Sequence, residues 1–335
     1  MKKRNSITAL FLTGVLCVSV FAGCSQKEES SLTPVRLNEV VHSVFYAPQY
    51  VAQELGFFEE EGLDVSVAVG QGADKSMTAL LSDSADIALL GTEAGIYVYN
   101  EGKQDYPLAF AQLTQRAGNF LVSRQPEPNF QWSDLKGKSV IGGRIGGMPE
   151  LVLEYVLKQN GITPNEDMEL INNISYTSTS GAFVGDIGDY TVEFEPTATA
   201  LEQQGNGYIV ASLGTASGYV PYTVYMSTST YMKENPEVIQ KFTNAIQKGQ
   251  TWVQQHSSAE IAQVILPQFP DSDLETLTTI IERYKQQDTW KENTIFEEDS
   301  FTLIQDIMEQ GGELSNRVPY EDMIVTEFSE KALAS

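Results

Sequence analysis

The chain has 335 residues, 41% of them hydrophobic, 10% aromatic and 20% charged, a globular composition whose length suits two lobes of about 150 residues each. Its 45 Asp and Glu residues against 21 Lys and Arg give a formal net charge of −24, which argues against nucleic-acid binding and against a polybasic membrane-surface domain, because both need a basic face. Two histidines and two cysteines are too few for a zinc site built mainly from those residues.

The first 24 residues have the pattern of a secretory signal. The basic stretch Met1–Arg4 precedes an uncharged apolar run, Ile7–Phe21, and small residues then lead to Cys24. The Ala-Gly-Cys sequence resembles a bacterial lipobox, and this resemblance implies that Cys24 is lipidated after cleavage. We therefore predict a signal peptide over residues 1–23. An uncleaved anchor helix is the alternative, although the apolar run is shorter than the ~20 residues that a spanning helix needs.

This assignment uses both cysteines of the chain. Cys17 leaves with the signal and Cys24 carries the lipid, so the mature body has neither a thiol nor a disulfide. Removal of the signal leaves 18 basic against 45 acidic residues, a mature net charge of −27. The sequence thus predicts an acidic domain held at the outer face of the cell membrane by a polar tether over residues 24–34.

Strands and helices alternate along the first half of the body. The predicted elements are strands at Val35–Val41, Asp64–Val69 and Ile87–Leu90, and helices beginning near Pro48, covering Asp74–Ser82, and covering Thr92–Tyr99. Pro48 in the first turn and Gly56 after the last turn are typical boundaries of the first helix. Thr92 is the predicted N-cap of the third helix.

The same alternation restarts after Leu135. The predicted elements are strands at Val140–Gly142, Ile209–Ser212 and Tyr222–Ser227, a helix at Pro149–Gln159, and a helical C-terminal region with boundaries at Pro236, Pro267 and Pro270. Alternating elements of this kind predict an α/β fold with mostly parallel sheets. In such sheets ligands bind at the carboxyl ends of the strands, so the loops that follow strands are the candidate functional segments.

Three segments of the chain resemble a known family. They are HSVFYAPQYVAQELGFFEEEGLDV at 42–65, GQGADKSMTALLSDSADIALLGTEA at 70–94 and EFEPTATALEQQG at 193–205. Together they resemble the substrate-binding lipoproteins of ABC importers, in the SsuA-like group of receptors for nitrate, taurine, aliphatic sulfonates and thiamine pyrimidines. The similarity extends over roughly residues 35–330.

The resemblance implies a type II periplasmic-binding-protein fold, in which two α/β lobes are joined by a two-strand hinge. Lobe one would comprise residues 35–123 and 214–335 and lobe two residues 124–213, with crossings near Leu121–Arg124 and Ala211–Gly218. A solute would bind between the lobes and close the hinge. We predict a monomeric receptor without cofactor, metal or nucleic-acid partner, and the resemblance implies that it passes its solute to an ABC permease and its ATPase.

Candidate solute contacts of the first lobe lie in the loops that follow strands, at His42, Phe45, Tyr46, Gln71, Gly72, Ala73, Thr92 and Glu93. Phe45 and Tyr46 could form an aromatic wall or pack in the lobe core. Gln71 and its neighbours could offer donors to a solute or form a tight turn that needs glycine. Thr92 and Glu93 could contact the solute or serve the N-terminus of their helix. His42 has the alternative of a purely structural role.

Two arginines stand out because basic residues are scarce in this chain. Arg144, within the glycine-rich loop Gly142–Met148, and Arg116 could bind a sulfonate, carboxylate or phosphate, or pair with a surface acid. Three further candidates, Thr177, Ser180 and Phe183, lie in a hydroxyl-rich stretch that could line lobe two. The last two are Glu195, in the EFEP turn of lobe two, and Tyr222, just beyond the second crossing. Glu195 could recognise an amine or the edge of an aminopyrimidine ring.

These observations predict an extracytoplasmic solute receptor that is not an enzyme. The arginines favour an anion, whereas the glutamates and aromatic residues favour a nitrogen heterocycle, which we prefer. One alternative is a ligand-sensing lipoprotein without a transporter. Another is an enzyme similar to the eukaryotic thiamine-pyrimidine synthases, which rely on a cysteine-rich segment and histidine chemistry. A mature chain without cysteine, and with His42 and His256 as its histidines, argues against the enzyme.

Overall fold

Two five-stranded sheets with surrounding helices make up residues 32–334, the part of the chain that the computed structural model describes. The predicted signal peptide, Cys24 and most of the predicted tether lie outside the described residues. Among residues 32–334, no helix has both the length and the apolar character that a membrane span requires. The predicted α/β architecture of two lobes is confirmed.

The first sheet has the strand order β2-β1-β3-β10-β4. Its strands are β1 (Thr33–Glu39), β2 (Leu63–Val69), β3 (Ile87–Leu90), β4 (Pro107–Thr114) and β10 (Thr223–Thr228). β1 pairs in parallel with β2 and β3, whereas β10 runs antiparallel to β3 and β4. All four residues of β3 are buried, as expected for a central strand that is covered on both faces.

The second sheet has the order β7-β6-β8-β5-β9. Its strands are β5 (Asn119–Ser123), β6 (Ser139–Ile141), β7 (Glu169–Ile171), β8 (Tyr190–Phe194) and β9 (Tyr208–Ser212). β6 pairs in parallel with β7 and β8, and β5 runs antiparallel to β8 and β9. Both sheets thus consist of a parallel set with an antiparallel extension.

Helices connect and cover the strands of both sheets. In the first half of the chain they are α1 (Ala47–Glu54), α2 (Phe57–Glu60), α3 (Ala73–Leu81), α4 (Thr92–Asn100) and α5 (Met148–Gln159). In the middle and C-terminal parts they are α6 (Thr179–Val184), α7 (Thr197–Gln203), α8 (Leu213–Ser217), α9 (Ser229–Glu234), α10 (Pro236–Gln255), α11 (Ser258–Ile265), α12 (Leu274–Gln286), α13 (Glu298–Gly311), α14 (Tyr320–Met323) and α15 (Glu327–Ala334).

The chain crosses between the sheets twice, over residues 115–118 and again over residues 213–222. The two crossings are hydrogen-bonded to each other, since the Val220 N–H donates to the Gln115 carbonyl (2.9 Å) and the Tyr222 N–H to the Thr114 carbonyl (3.3 Å). Residues 119–123, which the sequence analysis assigned to lobe one, pair in the second sheet. A division by sheet therefore falls before β5, while the lobe boundaries themselves stay a prediction.

Most observed boundaries lie within one or two residues of the predicted ones, and two of the differences involve residues to which a role was assigned. β1 begins at Thr33, so Pro34 belongs to a strand and not to the tether. Thr92 is the first residue of α4 and Gly91 holds the N-cap position, without a side-chain capping bond. The reason is that α4 starts directly after β3, which places the Thr92 side chain inside the protein, where its hydroxyl has no hydrogen-bond partner among the described residues.

Candidate functional site

A cavity of about 430 Å³ lies at the carboxyl ends of the parallel strands of both sheets. Val40 and Val41 follow β1, and loops after β2, β3, β6 and β7 supply further lining residues. This agrees with the expectation that ligands bind at the carboxyl ends of strands in open α/β sheets. The volume falls within the usual range for sites that enclose small molecules.

Four aromatic side chains form part of the cavity wall. Tyr46 and Tyr222 belong to the side of the first sheet, while Tyr176 and Phe194 belong to the side of the second. The Phe194 ring lies 6.1 Å from that of Tyr222 and 6.2 Å from that of Tyr176, measured between centroids. Because the rings come from both sides, a planar solute that stacked here would contact both lobes.

Glu93 lies in the first turn of α4, borders the cavity and is 1% exposed. Its Oε1 accepts a hydrogen bond from the Met148 N–H at the start of α5 (3.2 Å), while Oε2 has no partner among the described residues. Burial raises the pKa of this carboxyl from 4.5 to about 7, although nearby backbone N–H groups and the charge of Arg144 oppose the rise. A Cβ at Gly91 would collide with the Glu93 carboxylate, so a larger residue there would displace that side chain.

Tyr222 carries a second polar atom without a partner. The side chain is buried and borders the cavity, and its hydroxyl forms no hydrogen bond within residues 32–334. Burial, with a smaller contribution from the Glu93 charge, raises the pKa of Tyr222 well above its usual value, so the group stays protonated. Two side chains that border the cavity, Glu93 and Tyr222, thus each carry a buried oxygen without a hydrogen-bond partner in the described part of the chain.

The mouth of the cavity is polar and exposed. It includes Gln71, Asp74, Lys75 and Arg144. The side chains of Lys75 and Arg144 form neither a hydrogen bond nor an ion pair with any residue of the described part of the chain. Gln71 has φ 59, in the left-handed region that is unfavourable for most residues other than glycine and asparagine. Such local strain is often retained where a side chain serves a ligand site.

The side of the second sheet adds several hydroxyl and amide side chains to the cavity wall. Asn172, Asn173 and Ser175 follow β7, and Thr179 begins α6. The Thr179 hydroxyl lies within donating distance of Glu193 Oε2 (3.2 Å) and of the Tyr176 carbonyl (3.1 Å). Burial raises the pKa of Glu193 from 4.5 to about 7, opposed by its hydrogen bonds with threonine hydroxyls.

The structure brings seven of the predicted contacts together around this cavity: Tyr46, Gln71, Gly72, Ala73, Glu93, Arg144 and Tyr222. Phe45 lies directly behind them, in the core, with its ring 5.4 Å from Tyr46 and 5.5 Å from Tyr222. The Phe45 side chain is fully buried and packs in the core, which is the alternative role considered for it. The direct solute contacts of all seven residues stay predictions.

Three further first-side candidates lie away from the cavity. His42 bonds through Nδ1 to Glu39 Oε1 (2.8 Å) and through Nε2 to the Gln268 carbonyl (2.9 Å). Arg116 donates to the Gly214 carbonyl (3.1 Å) and lies over the Tyr219 ring (4.0 Å). Thr92 is buried without bordering the cavity. Each of the three side chains contacts other parts of the protein and does not line the cavity, and for His42 such a structural role was the alternative considered.

The remaining second-lobe candidates also lie outside the cavity wall. Glu195 is buried and ion-paired with Arg283 of α12, and it also accepts from the Thr199 N–H (2.9 Å). Phe183 is buried beneath the Arg124 guanidinium at 4.4 Å. Thr177 and Ser180 are near Tyr176 and Thr179 in sequence but do not line the cavity. The hydroxyl-rich stretch reaches the cavity through its neighbours Tyr176 and Thr179.

Several lining residues were not predicted from the sequence, among them Tyr176, Phe194, Val192 and Met148. Phe194 stands between the two glutamates that drew attention to the EFEP segment. The alternation of side chains along β8 places Val192 and Phe194 on one face, and this was the available signal. Within residues 32–334, no group of three or more His, Cys, Asp or Glu residues is arranged to hold a metal ion.

Sequence comparison finds both a binding protein and a synthase among the relatives of this chain. A Bacillus subtilis protein named "Putative binding protein YtlA" is 46% identical over 322 residues, covering 95% of this chain and 96% of the relative. A more distant relative is the 4-amino-5-hydroxymethyl-2-methylpyrimidine phosphate synthase THI5 of Saccharomyces cerevisiae, 22% identical over 223 residues, which cover 62% of this chain and 63% of the synthase.

Two solved structures share the fold. The ligand-binding component of an ABC-type import system from Staphylococcus aureus superposes with a TM-score of 0.72 at 15% identity, covering 90% of this chain and 99% of that one. The alkanesulfonate-binding protein SsuA from Xanthomonas axonopodis, bound to MOPS, gives 0.70 at 14% identity, covering 88% and 98%. Residues 44–259 also match the family described as NMT1/THI5 like. The chain therefore belongs to the NMT1/THI5-like family and has the fold of ABC-importer solute-binding proteins.

Proposed function

We propose that this protein is the solute-binding component of an ABC importer, and that it captures a small planar heteroaromatic solute between its two lobes. In this proposal a lipid on Cys24 holds the mature, monomeric chain at the extracytoplasmic face of the membrane. A permease with its ATPase then takes the solute from the receptor. The proposal unites the N-terminal lipobox pattern with a fold that importer receptors share.

The observation that carries the proposal is the aromatic wall with rings from both sides of the cavity. Tyr46 and Tyr222 face the cavity from the first side, and Tyr176 and Phe194 from the second. A flat solute that packs against these rings would contact both sides, and it could do so only when the lobes are close together. Binding would therefore favour the closed arrangement, which is the difference that a permease can sense.

The wall also favours a heteroaromatic solute over a small inorganic anion or sulfonate. Stacking on tyrosine and phenylalanine suits flat rings with polar edges, whereas nitrate or taurine would leave most of this apolar surface without a partner. Arg144 at the mouth keeps an acidic substituent on such a ring compatible with the site. We therefore place pyrimidine-like solutes above sulfonate, taurine or nitrate.

A binding role, and not catalysis, also fits the reactive residues of the chain. No cysteine follows Cys24. His42 is engaged by Glu39 and the Gln268 carbonyl, and the Nδ1 of His256 bonds to the Trp252 carbonyl (2.7 Å). Neither histidine lines the cavity. The distant synthase relatives therefore do not lead us to propose the same activity for this chain.

The test is a ligand screen on purified protein that has been unfolded and refolded to remove carried-over solute. The panel contains 4-amino-2-methylpyrimidine, thiamine, riboflavin, taurine, ethanesulfonate and nitrate. A solute present at 100 times its Kd should stabilise the protein by about 2.7 kcal/mol. We expect a heterocycle to give this shift. Stabilisation by nitrate or sulfonates alone would overturn the heteroaromatic assignment, and a panel without any shift would count against the proposed receptor role.

A pair of tyrosine variants ties the shift to the cavity. Tyr176 and Tyr208 are similarly exposed, at 36% and 39%, but only Tyr176 borders the cavity. Tyr176→Ala should weaken heterocycle binding by about fivefold, the effect of losing roughly 1 kcal/mol of stacking. Tyr208→Ala, on the edge strand β9, should leave it unchanged. Equal effects of the two variants would place the binding site elsewhere.

A further inference from the structure

The N-terminus of α5 points a backbone N–H toward the cavity, and a carboxylate of the protein already occupies it. α5 has 12 residues, and its Met148 N–H donates to Glu93 Oε1, which reaches it from the opposite side of the cavity. The neighbouring N–H groups are used within the loop: Gly146 donates to Glu150 Oε2 (3.1 Å) and Gly147 to the Arg144 carbonyl (3.0 Å). Helix N-termini are favourable places for anions, and Glu93 fills this one.

The rest of the Glu93 carboxylate lacks a partner. Oε2 is buried and makes no hydrogen bond within residues 32–334. The Tyr222 hydroxyl, which borders the same cavity, is also buried without a partner. These two atoms are an independent sign of a ligand, because a buried carboxylate oxygen without a donor is costly. A donor supplied by a bound molecule would remove that cost.

We propose that Glu93 sets the charge preference of the site: its carboxylate stands where an anionic group would otherwise bind, and its free oxygen accepts a hydrogen bond from an N–H of the solute. This inference rests on the proposed function and deepens it. The solute class is then a nitrogen heterocycle whose amino, amidine or protonated ring edge faces Glu93. Any acidic substituent would lie at the mouth, near Lys75 and Arg144.

The charges around the inner end of the cavity agree with this assignment. Glu93 is the acidic side chain of the cavity's inner wall, whereas the cationic groups, Lys75 and Arg144, lie at the exposed mouth. A sulfonate at the inner end would face the carboxylate at close range in a medium of low dielectric constant, where like charges repel strongly. Rejection of anions by a fixed like charge is an effective means of specificity.

The experiment uses two probes, ethanesulfonate and 4-amino-2-methylpyrimidine, and measures binding by calorimetry at pH 8 to the full chain purified in detergent. The variants are Glu93→Ala, Glu93→Gln and the control Glu150→Gln. Glu150 is a second buried carboxylate that contacts the same glycine-rich loop, but it does not border the cavity. Circular dichroism melts establish that each variant folds, and Glu93→Gln serves if Glu93→Ala does not fold.

We expect wild type and Glu150→Gln to show no binding of ethanesulfonate. Glu93→Ala should bind it, because the Met148 N–H becomes free and Arg144 lies on the same cavity, and Glu93→Gln should bind it more weakly. Both Glu93 variants should lose at least tenfold in affinity for the aminopyrimidine. Ethanesulfonate binding by wild type, or no gain in either folded Glu93 variant, would overturn the inference.

The gain of anion binding also separates this inference from the proposed function. If the ligand panel gives no shift with wild type, the proposed heteroaromatic function fails, yet the ethanesulfonate result still reports on Glu93. If wild type binds the aminopyrimidine and Glu93→Ala binds it equally well, the receptor function stands and the role of Glu93 fails.

Discussion

Glu93→Gln should make the protein more stable at pH 8 while leaving its stability near pH 5 almost unchanged. In the folded protein the pKa of Glu93 is raised from 4.5 to about 7, mainly by burial. The folded state therefore holds a proton between pH 4.5 and 7 that the unfolded chain has released. Because the folded state binds more protons in this window, the free energy of unfolding falls as the pH rises through it.

The size of the effect follows from the width of that window. The two pKa values differ by 2.5, and at about 1.4 kcal/mol per pH unit this amounts to about 3 kcal/mol at pH 8. Glutamine keeps an oxygen for the Met148 N–H and carries no charge, so the variant should recover most of this energy. The other ionisable groups facing Glu93 are Arg144, Tyr97 and Tyr222, and both tyrosines have raised pKa values and stay neutral at pH 8.

The assay is urea unfolding of wild type and Glu93→Gln at several values between pH 5 and 8. The wild-type curve contains further contributions of the same sign from Glu150 and Glu193, whose pKa values burial also raises to about 7. The variant should retain those and lose only the part due to Glu93. Glu260, whose pKa is lowered by hydrogen bonds from Ser257, is the control of opposite sign, so Glu260→Gln should not gain stability at pH 8. Parallel wild-type and Glu93→Gln profiles would refute the reasoning.

Three further predictions concern groups around the cavity and the lobe contacts. Tyr222→Phe should keep or raise the free energy of unfolding, by up to about 1 kcal/mol, because its hydroxyl has no partner, while heterocycle binding measured by calorimetry weakens. Arg283→Met should cost about 3 kcal/mol in urea unfolding, because it leaves Glu195 buried without its counter-ion; an unchanged midpoint would contradict this. The pKa of His42 is raised, mainly by its hydrogen bond with Glu39. His42→Gln should therefore unfold more easily than wild type below pH 6.5, and the difference in free energy of unfolding should shrink as the pH rises through the folded-state pKa. A constant difference between pH 5 and 9 would contradict this.

The fold was predictable where burial alone determines an element. Ile87–Leu90 is an uninterrupted apolar run between Asp86 and Gly91, and it forms β3 with the predicted ends. β5 was harder, because it has only five residues and pairs in a different sheet from the strand that precedes it. β7 has only three residues, too few for a periodic pattern to identify it.

The site was predictable where a loop follows a strand and not where two distant segments meet. Gln71, Glu93 and Arg144 could be proposed from their positions after strands, and all three border the cavity. Glu195 had the same kind of position, yet its partner Arg283 lies 88 residues further along the chain. The spacing of the two residues gives no indication of this ion pair, which joins the turn after β8 to helix α12.

The contacts that hold the lobes together suggest how closure depends on the solute. Ser43 Oγ donates to the Glu195 carbonyl (2.6 Å) on one flank of the cavity, and Tyr97 donates to the Gly146 carbonyl (2.9 Å) on the other. Between these flanks, Glu93 Oε2 and the Tyr222 hydroxyl are buried without protein partners, at a cost of about 1 kcal/mol each. Opening would let water reach both groups. In the proposed mechanism, a solute that satisfies them would remove the cost only in the closed arrangement, so the two atoms proposed to select the solute would also make closure depend on it.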